Sequence, residues 1–172
     1  MRTPIVAGNW KMHKTVGDTV KFVKEFRSVV KDVTGVEIVI APPFTAVHAA
    51  VEAARNSNIG VSAQDLYWER QGAFTGEVSA AMIAEAGAEY VIIGHSERRT
   101  LFGETDAMVN KKTAAAFAAG LTPIVCIGET LEQRERSETF TVLDRQIKDG
   151  LDRSEEHTSE LQSRGLISYA VF

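Results

Sequence analysis

Tyr90 to Arg99 read YVIIGHSERR, and this stretch carries most of the information about the fold. An apolar run from Val91 to Ile93 ends at a glycine, and a histidine with four polar or charged residues follows at once. Such a run predicts a strand buried on both faces. Two interpretations of the break are open. It is either an ordinary turn into a helix with Ser96 as its N-cap, or a strand end that presents the titratable ring of His95 at an active site.

Short apolar runs alternate with helical periods along much of the chain. Strand-like runs cover 4–8, 36–41, 59–63, 90–93 and 123–127, and helical periods cover about 16–31, 45–55, 79–86, 105–119 and 130–151. This alternation predicts five βα units with parallel strands. Both a doubly wound sheet and an eight-stranded barrel are built in this way. A doubly wound sheet usually follows its first strand with a glycine-rich phosphate loop, but here the first strand leads into GNWKMHK (8–14). A complete barrel needs about 250 residues, more than this chain has.

Composition narrows the class of protein. The chain has 172 residues, of which 44% are hydrophobic and 24% charged, so a packed core is expected. A net charge of −4 provides no basic surface for nucleic acid or anionic lipid. The single cysteine, Cys126, excludes an internal disulfide, and no apolar stretch approaches a membrane span. We therefore expect a soluble, cytoplasmic protein with no nucleic-acid or membrane partner, no cofactor and no metal.

Polar residues cluster where the predicted strands end. Asn9 and Lys11 are two apart and would share one face of a continuing strand, while His95 and Glu97 follow the fourth run. Gln64 and Asp65 follow the third run, and Glu129 follows the fifth. Structural roles are open for each of them: a solvated lysine, a turn histidine, a glutamate that stabilises a helix start. Arg98 and Arg99 are expected to pair with carboxylates, and Cys126 to be a small core residue.

Four motifs together resemble the triosephosphate isomerase family. They are AGNWKMHK (7–14), AFTGEVSAAMI (73–83), YVIIGHSERR (90–99) and IVCIGET (124–130). Each motif is modest alone, but their order and spacing are highly specific, and the resemblance covers about residues 3–152. It implies a TIM (β/α)8 barrel, here truncated to about five βα units. It also implies interconversion of dihydroxyacetone phosphate and D-glyceraldehyde 3-phosphate by proton transfer through an enediolate, in glycolysis and gluconeogenesis.

The resemblance also implies roles for individual residues. Lys11 would be the cation near the substrate phosphate and the enediolate oxygen, and Asn9 would hydrogen-bond the substrate. His95 would be the neutral electrophile, and this family is itself a standard example of a histidine pKa lowered at a helix N-terminus. Glu97 would be a supporting catalytic carboxylate, and Ser96 would help hold the histidine region.

The same resemblance implies that one loop of the chain contacts a second subunit. In QGAFTGE (71–77), Phe74 and Thr75 lie between Gly72 and Gly76. The resemblance makes this the dimer loop of an isologous homodimer, with Thr75 reaching the neighbouring subunit's Asn9, Lys11 and His95. The alternative is a mobile surface turn.

The resemblance fails at the C-terminal end of the chain. The family's carboxylate base, its lid and its glycine-rich phosphate loop have no counterpart after residue 128, so this chain is expected to be an inactive fragment. RSEEHTSELQS (153–163) and ISYAVF (167–172) resemble the in-frame translation of a sequencing adapter. We therefore expect a domain over 1–152, five strands in barrel-like curvature, and a foreign, artefactual tail over 153–172 with little packing. A genuine divergent terminus is the alternative.

Two further functions remain open from the residues. Asn9, Lys11 and His95 could serve a non-catalytic binder of phosphorylated sugars. Residues 72–77 could serve an interaction fragment that pairs with full-length subunits.

Overall fold

The computed structural model of the chain describes residues 3–152 and 166–169. Its strands are β1 Ile5–Asn9, β2 Glu37–Ala41, β3 Ile59–Ala63, β4 Tyr90–Ile93, β5 Thr122–Ile127 and β6 Leu166–Tyr169. Its helices are α1 Val16–Val30, α2 Val47–Ala54, α3 Ala80–Glu85, α4 Ser96–Leu101, α5 Asp106–Ala118, α6 Leu131–Glu135 and α7 Thr139–Leu151. A 3-10 turn, Phe44–Ala46, precedes α2. None of the described helices is long and apolar enough to cross a membrane.

Local sequence explains where several helices begin. Thr15 and Asp18 form a capping box at the start of α1, because the Thr15 hydroxyl accepts from the Asp18 N–H while the Asp18 carboxylate accepts from the Thr15 N–H. Thr130 and Gln133 repeat the arrangement at α6. The helix expected over 130–151 is divided, because Ser137 takes a left-handed conformation (φ 60°) between α6 and α7.

All neighbouring strands pair in parallel, in the order β1-β2-β3-β4-β5-β6. This order follows the chain without a reversal, as in a barrel, whereas a doubly wound sheet reverses direction. The five expected strands are all present, and Leu166–Tyr169 adds a sixth that pairs with β5 from Ile124 to Ile127. The tail expected to pack little therefore contributes a strand. Residues 153–165 and 170–172 of that tail lie outside the described residues, and its foreign origin stays a prediction.

The two faces of the sheet differ in what covers them. One face packs against the helices and contains the main core, in which alternate strand residues such as Val91, Ile93 and Val125 meet α1, α2, α3, α5 and α7. The other face carries a small cluster of Ala41, Ile92, Ile124 and Cys126. Helices on one face only are the arrangement of a barrel wall, with the small cluster inside. The structure thereby decides between the two architectures that the pattern of strands and helices left open.

Candidate active site

The break after β4 is made by Gly94. Its φ is +73°, and a Cβ built there would lie about 3 Å from the Arg99 guanidinium, from Val109 Cγ2 and from the carbonyl oxygen of Cys126. Only glycine avoids both the backbone strain and these contacts. The Arg99 guanidinium uses the space to donate to the carbonyl oxygens of Gly94 and Cys126, and it pairs with Asp106. The chain can therefore turn sharply and place His95 at the start of α4.

His95, rather than Ser96, is the N-cap of α4. Its Nδ1 accepts the backbone N–H of Glu97 at 3.3 Å, whereas Ser96 is the first helical residue and is exposed. An Nδ1 that accepts a hydrogen bond carries no proton, so the neutral ring holds its proton on Nε2. The break is thus a turn into a helix, as the first interpretation has it, but the histidine itself makes the cap in place of Ser96.

Burial keeps the His95 ring neutral. The residue is 7% exposed, and this desolvation lowers the pKa of His95 below its usual value. The positive charge of Lys11 acts in the same direction, while the carboxylates of Glu97 and Glu104 oppose it. The ring is therefore suited to donate a hydrogen bond from Nε2 to a developing oxyanion.

Lys11 lies beyond the end of β1, and the expected continuation of that strand is wrong. The backbone of Lys11 is left-handed (φ 51°), and its N–H donates to Asn9 Oδ1 at 2.9 Å. Gln64 holds the turn from the opposite side, because its Nε2 donates to the carbonyl oxygens of Lys11 and Ala41, each at 2.8 Å. Asn9 and Gln64 together stabilise a conformation that a lysine rarely adopts.

The side chains of Lys11, His95 and Glu97 meet, as expected. Lys11 Nζ lies 2.9 Å from Glu97 Oε1, and His95 Nδ1 lies 3.5 Å from Glu97 Oε2. Lys11 follows β1 and Glu97 follows β4, so two strands stand between them. On a flat sheet these strands would be about 14 Å apart. The contact therefore requires the curvature of a barrel wall, and it leaves a cation and a neutral imidazole side by side.

Arg98 pairs with carboxylates, as expected, but sequence reasoning missed that Glu104 and the buried Lys112 complete a cluster of four charged residues next to this site. Lys112 Nζ lies 2.6 Å from Asp65 Oδ1 and 2.9 Å from Glu104 Oε1, and Arg98 Nε lies 2.7 Å from Asp65 Oδ2. A signal was available, since Val109, Lys112, Thr113 and Ala116 have the spacing of one helix face and all are buried. A lysine on an apolar helix face predicts a buried ionic partner.

The other expected residues lie apart from the pair of Lys11 and His95. Glu129 accepts from Arg134 Nε at 2.7 Å and from Thr139 Oγ1, which holds α6 and α7 together. A hydrogen bond from its own backbone N–H, together with these two contacts, lowers the pKa of Glu129. Cys126 is a buried member of the inner cluster, and burial raises its pKa to about 11, which does not suit a nucleophile. Among the described residues, no group of three histidine, cysteine or acidic side chains could hold a metal ion.

The loop over 71–77 is held by glycine turns and aromatic packing. Gly72 and Gly76 have φ values of +149° and +94°. The ring of Phe74 packs on that of Tyr67 with centroids 4.7 Å apart, while Thr75 is exposed. The loop therefore exposes Thr75 next to an aromatic residue that packs on Tyr67.

Comparison with known proteins identifies the family. The family model described as triosephosphate isomerase matches residues 4–163. The chain belongs to the triosephosphate isomerase family. It is 57% identical to triosephosphate isomerase of Pelobacter propionicus over 147 residues, which cover 86% of this chain and 59% of that protein. With the same enzyme of Endomicrobium trichonymphae it shares 54% identity over 151 residues, which cover 88% of this chain and 60% of the relative.

A solved structure gives the same result for the fold. The crystal structure of triosephosphate isomerase from Bartonella henselae superposes with a TM-score of 0.83 at 39% identity, covering 88% of this chain and 62% of that one. The fold is therefore part of a TIM barrel, as expected. The chain spans about 60% of the length of the triosephosphate isomerases that it matches.

Proposed function

We propose that the site of Asn9, Lys11, His95 and Glu97 serves aldose–ketose isomerisation of a phosphorylated three-carbon substrate. The reaction is the interconversion of dihydroxyacetone phosphate and D-glyceraldehyde 3-phosphate, in glycolysis and gluconeogenesis in the cytoplasm. The observation that carries the proposal is the His95 ring whose Nδ1 accepts the Glu97 N–H, beside the Lys11–Glu97 pair. In this role His95 donates to the substrate carbonyl oxygen, Lys11 stabilises the negative charge of the enediolate and the phosphate, and Asn9 binds substrate.

We further propose that the 172-residue chain turns over substrate far more slowly than its longer relatives. Isomerisation needs a carboxylate base, and the carboxylate that the described residues bring to this site, Glu97, is paired with Lys11. A positioned base contributes about 10²–10⁴-fold to the rate, and closure of a lid adds the exclusion of water. The domain would comprise residues 1–152, with a foreign tail after it.

One experiment on the full chain tests both proposals. Turnover of glyceraldehyde 3-phosphate is measured for the chain, for its His95→Gln variant and for the Pelobacter propionicus relative. Binding of dihydroxyacetone phosphate is followed by ligand-observed NMR, with inorganic phosphate as the control ligand. We expect weak binding that His95→Gln and Lys11→Met reduce, and turnover at least about 100-fold below that of the relative.

The other outcomes discriminate between functions. Turnover equal to that of the relative would contradict the proposal that this chain lacks the carboxylate base. Binding that is unchanged in both variants would contradict the assigned roles. Co-purification of the chain with the intact relative, without any ligand binding, would favour an interaction fragment.

We also propose that the intact assembly is a homodimer in which Thr75 contacts the neighbouring subunit. Its support is the exposure of Thr75 on a loop whose Phe74 ring packs on Tyr67. Sedimentation velocity of the chain and of Thr75→Arg tests it: a dimer lost in the variant is expected, and a dimer that survives would contradict this contact.

A further inference from the structure

Four charged side chains form a buried cluster that the proposed reaction does not use. Arg98 and Lys112 supply the cations, and Asp65 and Glu104 supply the carboxylates. The Lys112, Glu104 and Asp65 residues are only 2%, 4% and 5% exposed. Glu104 Oε1 lies 2.9 Å from Lys112 Nζ without hydrogen-bond geometry, so the attraction there is mainly one of charge. Burying charges is unfavourable unless they are closely paired, and here the three buried groups and the partly exposed Arg98 make two positive and two negative charges that balance.

The cluster is adjacent to the site on two sides. Asp65 directly follows Gln64, whose amide holds the Lys11 turn. Arg98 directly follows Glu97, the partner of Lys11. The 2.7 Å contact between Arg98 Nε and Asp65 Oδ2 therefore ties the first turn of α4 to the second residue after β3. Lys112 from α5 then joins Asp65 to Glu104, so that a displacement of either segment would break a buried ion pair.

The charge of the cluster also reaches the His95 ring. Burial is the main cause of the lowered pKa of His95, and three charged groups modify it: Glu97 from α4 raises it, Lys11 from the turn after β1 lowers it, and Glu104 from the segment between α4 and α5 raises it. Glu97 also contacts the ring, with its Oε2 3.5 Å from His95 Nδ1. Glu104 is thus a member of the cluster whose charge also acts on the histidine. A change in the charge balance of the cluster would change the electrostatic potential at the ring.

We propose that Asp65, Arg98, Glu104 and Lys112 act as positioning residues that hold α4 and the Lys11 turn in one arrangement and set the charge around His95. The role in catalysis rests on the proposed function. The electrostatic effect of the cluster on His95 is independent of the proposed function, so the catalytic role and the electrostatic effect can fail separately.

The test is the NMR titration of His95 in the full chain, with its imidazole signals assigned by their absence in His95→Gln. Glu104→Gln leaves the cluster with one excess positive charge, so we expect the pKa of His95 to fall. Arg98→Gln leaves one excess negative charge, so we expect that pKa to rise. Each shift should exceed about 0.2 pH unit, the order expected for one charge several ångströms away in a partly solvated site. The double variant Glu104→Gln/Arg98→Gln restores the balance and should titrate close to the parent chain.

A matched control comes from the neighbouring position. Lys111 is exposed and lies over the Trp68 ring, so Lys111→Met should leave the titration unchanged. Shifts in the same direction for both single variants, or no shift in either, would overturn the proposal. The proposal would also be overturned if the pKa of His95 in the double variant departed further from the parent value than in either single variant, because this would indicate structural damage. If Glu104→Gln does not fold, Arg98→Gln still decides the result, since the Arg98 side chain is 32% exposed.

Discussion

At the end of β4, burial and one backbone hydrogen bond act together on the His95 ring. Burial disfavours the imidazolium, and the Glu97 N–H occupies Nδ1 and leaves the proton on Nε2. Lys11 is held in the same region by its own unusual backbone and by Gln64. At the scale of single residues, the site therefore depends on main-chain geometry as much as on side-chain chemistry.

His95 should make the stability of the chain depend on pH. Its folded pKa lies below the unfolded value of 6.5, so the unfolded state takes up the proton first as the pH falls. The stabilisation is complete above the unfolded pKa and is lost as the pH falls through the folded one. The free energy of unfolding in urea, measured between about pH 7.5 and about pH 5, should fall less in His95→Gln than in the parent. Identical profiles would contradict the lowered pKa.

Gln64 should contribute to stability through its two hydrogen bonds. Gln64→Ala removes the donor to the carbonyl oxygens of Lys11 and Ala41, and the strained Lys11 turn loses its support. We expect a loss of about 1–3 kcal/mol in the free energy of unfolding. The exposed Gln71 provides the control, and Gln71→Ala should stay within about 0.5 kcal/mol. Equal effects of the two substitutions would refute a specific role for Gln64.

At the scale of secondary-structure elements, one aromatic side chain on the inner face of the sheet reaches from β4 across β3 to β2. Tyr90 at the start of β4 donates its hydroxyl to Glu37 Oε2 at 2.6 Å, and Glu37 begins β2. Gly60 of β3 makes this possible, because a Cβ there would lie 2.9 Å from Tyr90 Cε2. Burial of the tyrosine and its neighbour Glu37 raise the pKa of Tyr90, so the hydroxyl remains a donor.

Gly60→Ala should therefore destabilise the sheet. The added methyl group displaces the Tyr90 ring and weakens its bond to Glu37, at an expected cost of about 1–3 kcal/mol measured by urea unfolding. Gly17 is the matched control, because it lies in α1 with no atom within 4 Å of its added Cβ. Gly17→Ala should stabilise the chain by about 0.5–1 kcal/mol. A Gly60→Ala chain as stable as the parent would show that the ring moves without cost.

At the scale of the whole molecule, the sheet has two ends. Among the described strands, β1 is paired with β2 alone and β6 with β5 alone. Val6 in β1 is 63% exposed, although it belongs to an apolar strand of a kind that is buried in a closed barrel. Exposed apolar strand edges promote association between chains.

Val6→Lys should reduce that association. Sedimentation velocity over a range of concentrations is expected to show larger species for the parent chain and fewer for the variant, because a charge at the strand edge opposes edge-to-edge pairing. Val29 in α1 is 77% exposed and serves as the control, since Val29→Lys leaves the edge of β1 unchanged. If Val29→Lys reduced the association as much as Val6→Lys, the edge would not be its cause.

Local patterns along the chain determined most of the elements and part of the site. The strands over 59–63 and 90–93 and the capping box of α1 follow from short-range hydrophobicity and cap chemistry. The meeting of Lys11 with Glu97 is expected only through the resemblance to a barrel family, because it joins the ends of two distant strands. Tertiary structure alone decided that all helices cover one face, that Lys11 leaves the strand, and that Lys112 lies buried between two carboxylates. It also added β6 at the outer edge of β5. These features depend on strand curvature and on charges that meet from distant segments, and neither is expressed in the local pattern of residues.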